Sequence, residues 1–211
     1  LAGKVALITG GSRGIGLAIA KSYADSGAQV MLTSRQEDAL RDAAKFVGGG
    51  ASYLAGNAGD TEFAQKCVSA TLEQFGKIDI FVNNAATNPY AGPTLGVSET
   101  QFDKTFQVNL RGPLFWCSQV WDQHMKDNPG VIINIASVGG IRAEGNLGVY
   151  NLTKAALIHL TRQLAGELGL TRVVGIAPGL VKTDFAQMLV DNYGDSLAKR
   201  LPRKRLGEPE D

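Results

Sequence analysis

Six short apolar segments alternate with longer segments of helical periodicity along this chain, and this alternation constrains the fold more than any other feature. The apolar segments, which we predict to be strands, comprise residues 5–8, 30–33, 51–55, 78–82, 131–135 and 172–177. Strands that are apolar along most of their length are typical of a parallel sheet with helices on both faces. Right-handed crossovers predict a doubly wound α/β fold in three layers, α/β/α, formed by residues 1–211 as a single domain.

The segments between the strands carry the pattern of amphipathic helices. We predict helices over residues 14–26, 61–75, 99–126 and 150–168, and another that ends before Gly48. In that last helix the apolar residues follow the i, i+3, i+4, i+7 spacing of one buried face; they are Leu40, Ala43, Ala44 and Val47. Ligands of doubly wound sheets bind beyond the carboxyl ends of the strands, so the residues that follow each strand form the candidate site.

The composition excludes several classes of protein. Lys and Arg total 21 and Asp and Glu total 20, so the net charge of +1 predicts neither a nucleic acid nor a membrane as a partner. The two cysteines and two histidines lack the spacing of a metal site, and we predict no bound metal. No apolar run approaches the roughly 18 residues of a membrane-spanning helix. The first residues do not resemble a signal peptide, and a cytoplasmic location is expected.

A glycine-rich loop joins the first predicted strand to the first helix. It reads Thr-Gly-Gly-Ser-Arg-Gly-Ile-Gly over residues 9–16. Glycine permits a tight turn and a close approach of the backbone, and the start of a helix offers free N–H groups to a pyrophosphate. A turn that needs glycine only for its own shape is the alternative, but the position between strand and helix favours dinucleotide binding. The cofactor contacts expected in this loop are Gly10, Ser12, Arg13, Gly14, Ile15 and Gly16.

The end of the second strand indicates which dinucleotide binds. An NAD-binding unit places an acidic residue here, on the hydroxyls of the adenosine ribose. This chain has Thr33, Ser34 and Arg35 instead, and its first carboxylate is Glu37. Arg35, joined by Arg13 from the glycine loop, would bind a 2′-phosphate through charge-assisted hydrogen bonds. We therefore predict NADP(H); the alternative is that both arginines are merely surface residues.

Tyr150 and Lys154 are four residues apart in a predicted helix and so share one face. A tyrosine phenol with its ordinary pKa of about 10 is a poor acid-base group at neutral pH. A nearby ammonium group and an oxidised nicotinamide ring would stabilise the phenolate and lower that pKa. Ser137 follows the fifth strand, where its hydroxyl can hold the reacting oxygen. Taken without Ser137, the spacing is weak evidence, because a tyrosine and a lysine four apart on a helix are usually just an amphipathic surface pair.

Together these motifs resemble the short-chain dehydrogenase/reductases, and the resemblance extends over essentially the whole chain. The shared motifs are Thr9-Gly-x-x-x-Gly-Ile-Gly16, Asn83-Asn-Ala85, Asn109, Ser137, Tyr150-x-x-x-Lys154 and Pro178-Gly179. The resemblance implies a Rossmann fold in which Tyr150 is the general acid/base and Lys154 binds the nicotinamide ribose and tunes Tyr150. It further implies that Ser137 orients the substrate carbonyl and that Asn109 positions a water in a proton relay. Pro113, four residues after Asn109, has no N–H to donate to the Asn109 carbonyl, which we expect to accept from that water.

The remaining cofactor contacts are implied by the same resemblance, with small departures from the family pattern. Besides the glycine loop, Ser34 and Arg35, the expected contacts are Asn57, Ala58, Asn84, Ala85, Tyr150, Lys154, Pro178, Gly179, Val181 and Thr183. Asn57 stands where an aspartate usually meets the adenine, and Ala86 stands where glycine is common. Neither departure touches the predicted chemistry.

The substrate side is expected to form from three segments of the chain. By resemblance, residues 184–206 form a mobile flap, and the pocket takes further residues from 88–90 and 138–148. In the last of these, Arg142 and Glu144 are polar and Ile141 and Leu147 are not, so the chemistry of the substrate stays open.

Partners and chain length are also expectations from the resemblance. The basic residues from Lys199 to Arg205 are either solvated surface or a contact for an acidic partner, such as an acyl carrier protein. Family members pair their long helices across homodimers or homotetramers. They usually continue past the position of Asp211 into one more helix and a last strand.

These observations predict an NADPH-dependent oxidoreductase that reduces a ketone to a secondary alcohol in a reversible reaction. A 3-oxoacyl thioester is one substrate class that the resemblance suggests; sugars, steroids and small ketones are others. The alternative is a catalytically idle protein of the same fold that binds NADP as a sensor or scaffold. An idle protein has no need of the full set Asn109, Ser137, Tyr150 and Lys154, which favours the enzyme.

Overall fold

The computed structural model describes residues 1–211 and shows one six-stranded parallel sheet. The strands are β1 (Val5–Thr9), β2 (Gln29–Ser34), β3 (Ser52–Ala55), β4 (Ile80–Asn83), β5 (Val131–Ile135) and β6 (Arg172–Ile176). Their order in the sheet is β3-β2-β1-β4-β5-β6, so the chain moves outward from β1 first in one direction and then in the other. The predicted doubly wound α/β fold is confirmed, with its topological switch point between β1 and β4.

Seven α-helices connect and cover the strands. They are α1 (Gly14–Asp25), α2 (Glu37–Val47), α3 (Thr61–Phe75), α4 (Glu99–Phe106), α5 (Gly112–Val120), α6 (Gly148–Glu167) and α7 (Gln187–Arg200). Asp60 caps α3, because its Oδ1 accepts from the backbone N–H groups of Glu62 and Phe63. The segment predicted as one helix over 99–126 is interrupted by π-helical turns at Gln107–Arg111 and Trp121–Met125.

The core is divided into two clusters, one on each face of the sheet. Alternate residues of a strand point to opposite faces. Leu7 of β1 accordingly packs with side chains of α3 and α5, whereas Ala6 and Ile8 pack with side chains of α1 and α2. This alternation confirms the three predicted layers.

The boundaries of some elements differ from the predicted ones. β4 begins at Ile80, although Ile78 is also buried and apolar, and α6 begins two residues before Tyr150 at Gly148. β6 forms one edge of the sheet, where Val174 and Ile176 are 44% and 50% exposed. None of the helices is both long enough and apolar enough to cross a membrane.

Candidate active site

The glycine loop after β1 adopts conformations that only glycine takes easily. Gly10 and Gly14 have φ angles of +67° and +55°. Arg13, which precedes α1, makes no side-chain hydrogen bond to the first turn of the helix, and that turn contains no acidic residue. The N–H groups at the start of α1 are therefore not capped by a side chain, and their partial positive charge is not neutralised locally. This donor set fits a pyrophosphate.

Asn84 fastens the glycine loop to the loop that follows β4. Its Nδ2 donates to the carbonyls of Thr9 and Gly10, at 2.9 and 3.0 Å. The Thr9 hydroxyl in turn accepts from the backbone N–H groups of Asn84 and Ala85, both at 3.1 Å. A methyl group on Gly16 would collide with Asn84 Nδ2 and the Gly10 carbonyl. The two loops at the switch point are therefore held together by polar contacts that only the tertiary structure shows.

The predicted contacts after β2 and β3 lie at the same edge of the sheet. Arg35 is exposed directly after β2, and the Ser34 carbonyl accepts from Gly56 N–H at 2.8 Å. Asn57 Oδ1 accepts from Gly59 N–H at 3.0 Å, and the Ala58 carbonyl accepts from Trp116 Nε1 at 2.9 Å.

The Arg13 side chain forms an ion pair with Asp184, at 3.4 Å. That ion pair has both partners exposed. Arg13 and Arg35 are thus both accessible, but Arg13 contacts the chain after β6 rather than the end of β2.

The segment after β6 passes close to the glycine loop. The Pro178 carbonyl accepts from Val138 N–H at 3.0 Å, and Val181 forms a bridge with Gly207. A methyl group on Gly14 would lie 3.1 Å from the Thr183 methyl. The structure therefore gathers the predicted cofactor contacts from the ends of five strands, β1, β2, β3, β4 and β6, at the carboxyl edge of the sheet.

Tyr150, Lys154 and Ser137 meet beside this edge. Tyr150 and Lys154 lie on α6, and Lys154 Nζ is 5.6 Å from the centre of the Tyr150 ring. Lys154 is only 2% exposed, and its ammonium group donates to the Ile135 carbonyl at the end of β5, at 2.7 Å. Ser137 follows β5 and accepts from Gly139 N–H at 3.1 Å, and its hydroxyl lies close enough to Tyr150 to lower the pKa of the phenol.

Burial dominates the pKa values of this group. Burial raises the pKa of Tyr150 to about 12; the nearby Ser137 hydroxyl lowers that pKa and the negative charge of Glu144 raises it. Burial lowers the pKa of Lys154 to about 8. The lowering predicted for Tyr150 relied on a charged nicotinamide ring as well as on Lys154, and the chain's own groups do not produce it.

Asn109 joins the group through its side chain. It lies in the π-helical turn between α4 and α5 and is fully buried. Its Oδ1 accepts from Thr87 N–H at 2.8 Å, and its Nδ2 donates to the Thr87 carbonyl and to the Thr153 hydroxyl, at 2.9 and 3.2 Å. The Thr153 hydroxyl donates to the Tyr150 carbonyl at 2.7 Å. All four predicted catalytic residues are thus brought together.

Three residues of the site were given no role by the sequence: Thr9, which it offered only as the first residue of the glycine motif, Thr87 and Thr153. Each holds a predicted site residue through a hydrogen bond to a segment more than 20 residues away. A local pattern cannot show such a bond. The one available signal was position, because Thr9 ends β1 and Thr153 lies between Tyr150 and Lys154.

The class of protein follows from where these groups meet. A half-buried tyrosine and a buried lysine beside a loop that fits a dinucleotide, at the carboxyl edge of a doubly wound sheet, are the arrangement of a nicotinamide-dependent oxidoreductase.

Comparison with known proteins identifies the family within this class. Residues 4–194 match the sequence profile described as short chain dehydrogenase. A human protein named dehydrogenase/reductase SDR family member 2, mitochondrial, is 39% identical over 220 residues, which cover 100% of this chain and 78% of the relative. The chain belongs to the short-chain dehydrogenase family, and it is an oxidoreductase that acts on alcohol and carbonyl groups.

Solved structures of the same family share the fold closely. A glucose/ribitol dehydrogenase from Brucella melitensis matches with a TM-score of 0.94 and 30% identity, over 100% of this chain and 86% of that one. A 3-ketoacyl-(acyl-carrier-protein) reductase from Brucella melitensis complexed with NADH matches with a TM-score of 0.93 and 33% identity, over 100% of this chain and 88% of that one.

Proposed function

We propose that this oxidoreductase uses NADP(H) to reduce a ketone to a secondary alcohol, and that the reaction is reversible. The observation that carries the proposal is the joint placement of Ser137, Tyr150 and Lys154: the Ser137 hydroxyl is close enough to lower the pKa of Tyr150, and the Lys154 ammonium group lies 5.6 Å from the centre of the tyrosine ring. A structural tyrosine would have no need of a buried lysine and a serine hydroxyl at the edge where the cofactor binds.

The proposed roles follow from which proton each group can hold. Tyr150, with a pKa of about 12, carries its phenolic proton at neutral pH and can donate it from Oη to the carbonyl oxygen of a substrate. The Ser137 hydroxyl orients that oxygen. In the reverse direction Tyr150 must accept a proton, and the positive charge of Lys154 favours the phenolate that does so.

The cofactor would supply the hydride and would be held mainly by the backbone. The N–H groups at the start of α1 would bind its pyrophosphate, and the loops after β3, β4 and β6 would surround the rest. Arg35 would bind the 2′-phosphate, because no carboxylate stands at the end of β2 to compete for a ribose hydroxyl. The 3-ketoacyl reductase that matches this chain was complexed with NADH, so the preference for NADP(H) rests on Arg35.

Replacing Tyr150 tests the reaction. Tyr150→Phe removes the only phenolic proton of the proposed group, and we expect kcat/KM for ketone reduction to fall by about 10²- to 10⁴-fold. The measurement is NADPH absorbance with a panel of carbonyl compounds. The matched control is Tyr23→Phe, a half-buried tyrosine of α1, which should leave the kinetics unchanged. Normal turnover by Tyr150→Phe would contradict the proposed role, and no turnover of any carbonyl by the wild type would favour the idle binding protein.

Replacing Arg35 tests the cofactor. Arg35→Asp places a negative charge against the 2′-phosphate, and we expect KM for NADPH to rise at least about tenfold more than KM for NADH. Arg41→Asp on α2 is the matched control, because Arg41 is an exposed arginine that pairs with Asp38. Equal effects of Arg35→Asp on both coenzymes would refute the assignment.

The substrate is proposed to approach beneath the segment 184–206, which would act as a flap. The Phe185 ring lies 6.1 Å from the Tyr150 ring, and Met188 and Tyr193 of α7 are exposed nearby in sequence. In the basic cluster Arg205 pairs with Asp211. The Lys204 ammonium group donates to the Lys199 carbonyl, at 2.8 Å. Because two of the five basic side chains are engaged within the cluster itself, we propose a free small-molecule ketone rather than one carried on an acyl carrier protein.

Two further properties belong to the proposal. A homodimer or homotetramer is supported by the exposed Phe102, Leu114 and Phe115 on α4 and α5, and light scattering at several protein concentrations tests it. The proposed compartment is the cytoplasm. The name of the human relative includes the word mitochondrial, and fractionation of cells that produce the protein distinguishes the two compartments.

A further inference from the structure

The turn that carries Ser137, residues 137–140, lies directly against the backbone of α6. A methyl group on Gly140 would lie 2.6 Å from the carbonyl carbon of Lys154 and 2.8 Å from both the Lys154 oxygen and the Ala155 nitrogen. These main-chain atoms are held by the hydrogen bonds of the helix and cannot easily move aside. Gly140 has no positive φ angle, so its position requires glycine for the close approach and not for the backbone conformation.

Gly139 makes a second close contact with the same helix. A methyl group on it would collide with Oδ1 of Asn151, the neighbour of Tyr150 on α6. The Asn151 side chain is held in place, because the residue is only 8% exposed and its Nδ2 donates to the Glu144 carbonyl at 3.1 Å. The turn therefore touches α6 beside both Tyr150 and Lys154.

Hydrogen bonds within the turn link these contacts to the position of Ser137. Gly140 N–H donates to the Ser137 carbonyl at 2.9 Å, and Gly139 N–H donates to the Ser137 hydroxyl at 3.1 Å. A methyl carbon makes ordinary contacts at about 3.4 Å or more, so a side chain on Gly140 would force the turn to withdraw from α6 by about 0.8 Å. Ser137 would be carried away from Tyr150 with it.

We propose that Gly139 and Gly140 are positioning residues: because they have no side chains, the turn sits on α6, and this contact places the Ser137 hydroxyl where it can orient the oxygen that Tyr150 protonates. The inference rests on the proposed ketone reduction and adds two residues that act through Ser137. A displacement of about 1 Å in a catalytic site can cost about 10²-fold in rate, so the contact matters for the reaction as well as for packing.

Gly140→Ala tests the proposal in steady-state kinetics. We expect kcat for ketone reduction to fall about 10²-fold and the Kd for NADPH to stay within about twofold of the wild type, since the glycine loop is not part of the contact. Gly166→Ala is the matched control, because it is the same substitution at an exposed position of α6 with no atom within 4 Å of the added methyl group. A wild-type kcat in folded Gly140→Ala would overturn the proposal.

A second background shows whether Gly140 acts through Ser137 or through the fold in general. Ser137→Ala removes the hydroxyl, so adding Gly140→Ala to it should lower kcat by less than about threefold more, because changes that act through one group are not additive. A merely structural role would lower kcat by the same factor in both backgrounds, and that result would overturn the proposal.

Gly139 offers a second way to displace the turn, should Gly140→Ala fail to fold. Gly139→Ala should also lower kcat, whereas Gly139→Ala/Asn151→Ala, which cuts back the obstructing side chain, should recover at least about tenfold of it. Asn151 Oδ1 has no hydrogen-bond partner, so its removal leaves no donor unpaired. No loss in the single variant, or no recovery in the double variant, would overturn the proposal.

Crystal structures of the wild type and of Gly140→Ala, or of Gly139→Ala in its place, separate this inference from the proposed reaction. Withdrawal of Ser137 Oγ from Tyr150 Oη by at least about 0.5 Å supports the role of the two glycines, even where the wild type reduces no ketone and the proposed reaction fails. An unchanged distance between these two oxygens would overturn the inference, whatever the activity.

Discussion

At the scale of single residues, the proposed catalytic group is held by hydrogen bonds that none of the sequence motifs predicts. The Asn109 amide is fully occupied within the protein, because its oxygen and both of its N–H bonds meet Thr87 and Thr153. The proposed relay water would bind the backbone carbonyl of Asn109, because Pro113, four residues later, has no N–H to donate to that carbonyl. Asn109 therefore positions the group through its side chain and would bind water through its backbone.

Thr153 is the link between Asn109 and Tyr150, so its replacement should disturb both. Thr153→Val removes the hydroxyl and leaves Asn109 Nδ2 with a buried unpaired hydrogen, which should lower the free energy of unfolding by about 1–3 kcal/mol. We expect kcat to fall more than KM changes, because the substrate contacts stay in place. Urea unfolding and steady-state kinetics measure the two effects.

The conservative variant decides whether the hydroxyl is responsible. Thr153→Ser keeps the donor and the acceptor and should recover most of the stability and of kcat. If Thr153→Ser were as impaired as Thr153→Val, methyl packing rather than hydrogen bonding would explain the loss.

At the scale of elements, glycine and proline decide where helices begin and how they bend. Gly112 N–H bonds to the Gln107 carbonyl five residues earlier, which widens the helix into a π turn just before Pro113. A methyl group on Gly112 would meet the Ala58 carbonyl at 2.6 Å, so this helix also packs closely on the loop after β3. The π turn places Asn109 at the point where α4, α5 and α6 meet.

The start of α1 offers a sharp test of such close packing. Gly16→Ala should lower the free energy of unfolding by about 1–3 kcal/mol, because the added methyl group collides with Asn84 Nδ2 and the Gly10 carbonyl. It should also weaken NADPH binding, since the same contacts shape the glycine loop. Thermal unfolding and a fluorescence titration with NADPH measure these effects.

Gly166→Ala is the matched control for that variant. Gly166 is an exposed residue of α6 with no atom within 4 Å of the added methyl group. Alanine favours the helix by about 1 kcal/mol over glycine, so this variant should be slightly stabilised and bind NADPH normally. A loss of stability in both variants would show that the collision at Gly16 is not the cause.

At the scale of the whole molecule, the carboxyl and amino ends of the parallel strands have different roles. The loops at the carboxyl ends of the strands form the proposed cofactor site. At the amino ends, hydrogen bonds and ion pairs join the start of β1 to the start of β4. There Asp79 accepts from Val5 N–H at 2.9 Å and pairs with Lys4 at 2.8 Å and Lys77 at 3.1 Å. Its side chain is 18% exposed, and these bonds join the two halves of the sheet at the switch point.

Stability should therefore depend on the ionisation of Asp79. Burial by itself raises the pKa of this carboxyl, but the bonds from Lys4, Val5 and Lys77 outweigh it and hold the pKa below its ordinary value. A lowered pKa contributes stability above the ordinary pKa, and that contribution is lost as the pH falls through the folded value. Asp79→Asn should lower the free energy of unfolding at pH 7 by about 1–3 kcal/mol. The difference from the wild type should shrink below a pH of about 4, and urea unfolding across pH measures it. A difference that stays constant down to pH 2 would contradict this explanation.

The sequence by itself determined the fold class, the glycine loop and the identity of the chemical groups. Apolar strands, helical spacing and the glycines at positions 10 and 14 are local signals, because strand and helix periodicity and positive φ angles act within a few residues. The pairing of Tyr150 with Lys154 was visible for the same reason, since one helical turn separates them.

Only the tertiary structure decided how those groups are held and charged. Thr153 meets Asn109 from 44 residues away, and Asn84 reaches back 74 residues to Gly10. The pKa of Tyr150 is raised rather than lowered because side chains from distant segments, such as Phe185, help to bury it; the charge of the neighbouring Glu144 adds to the rise. Burial and charge depend on everything that packs around a side chain, and the spacing of residues along the chain does not contain that information.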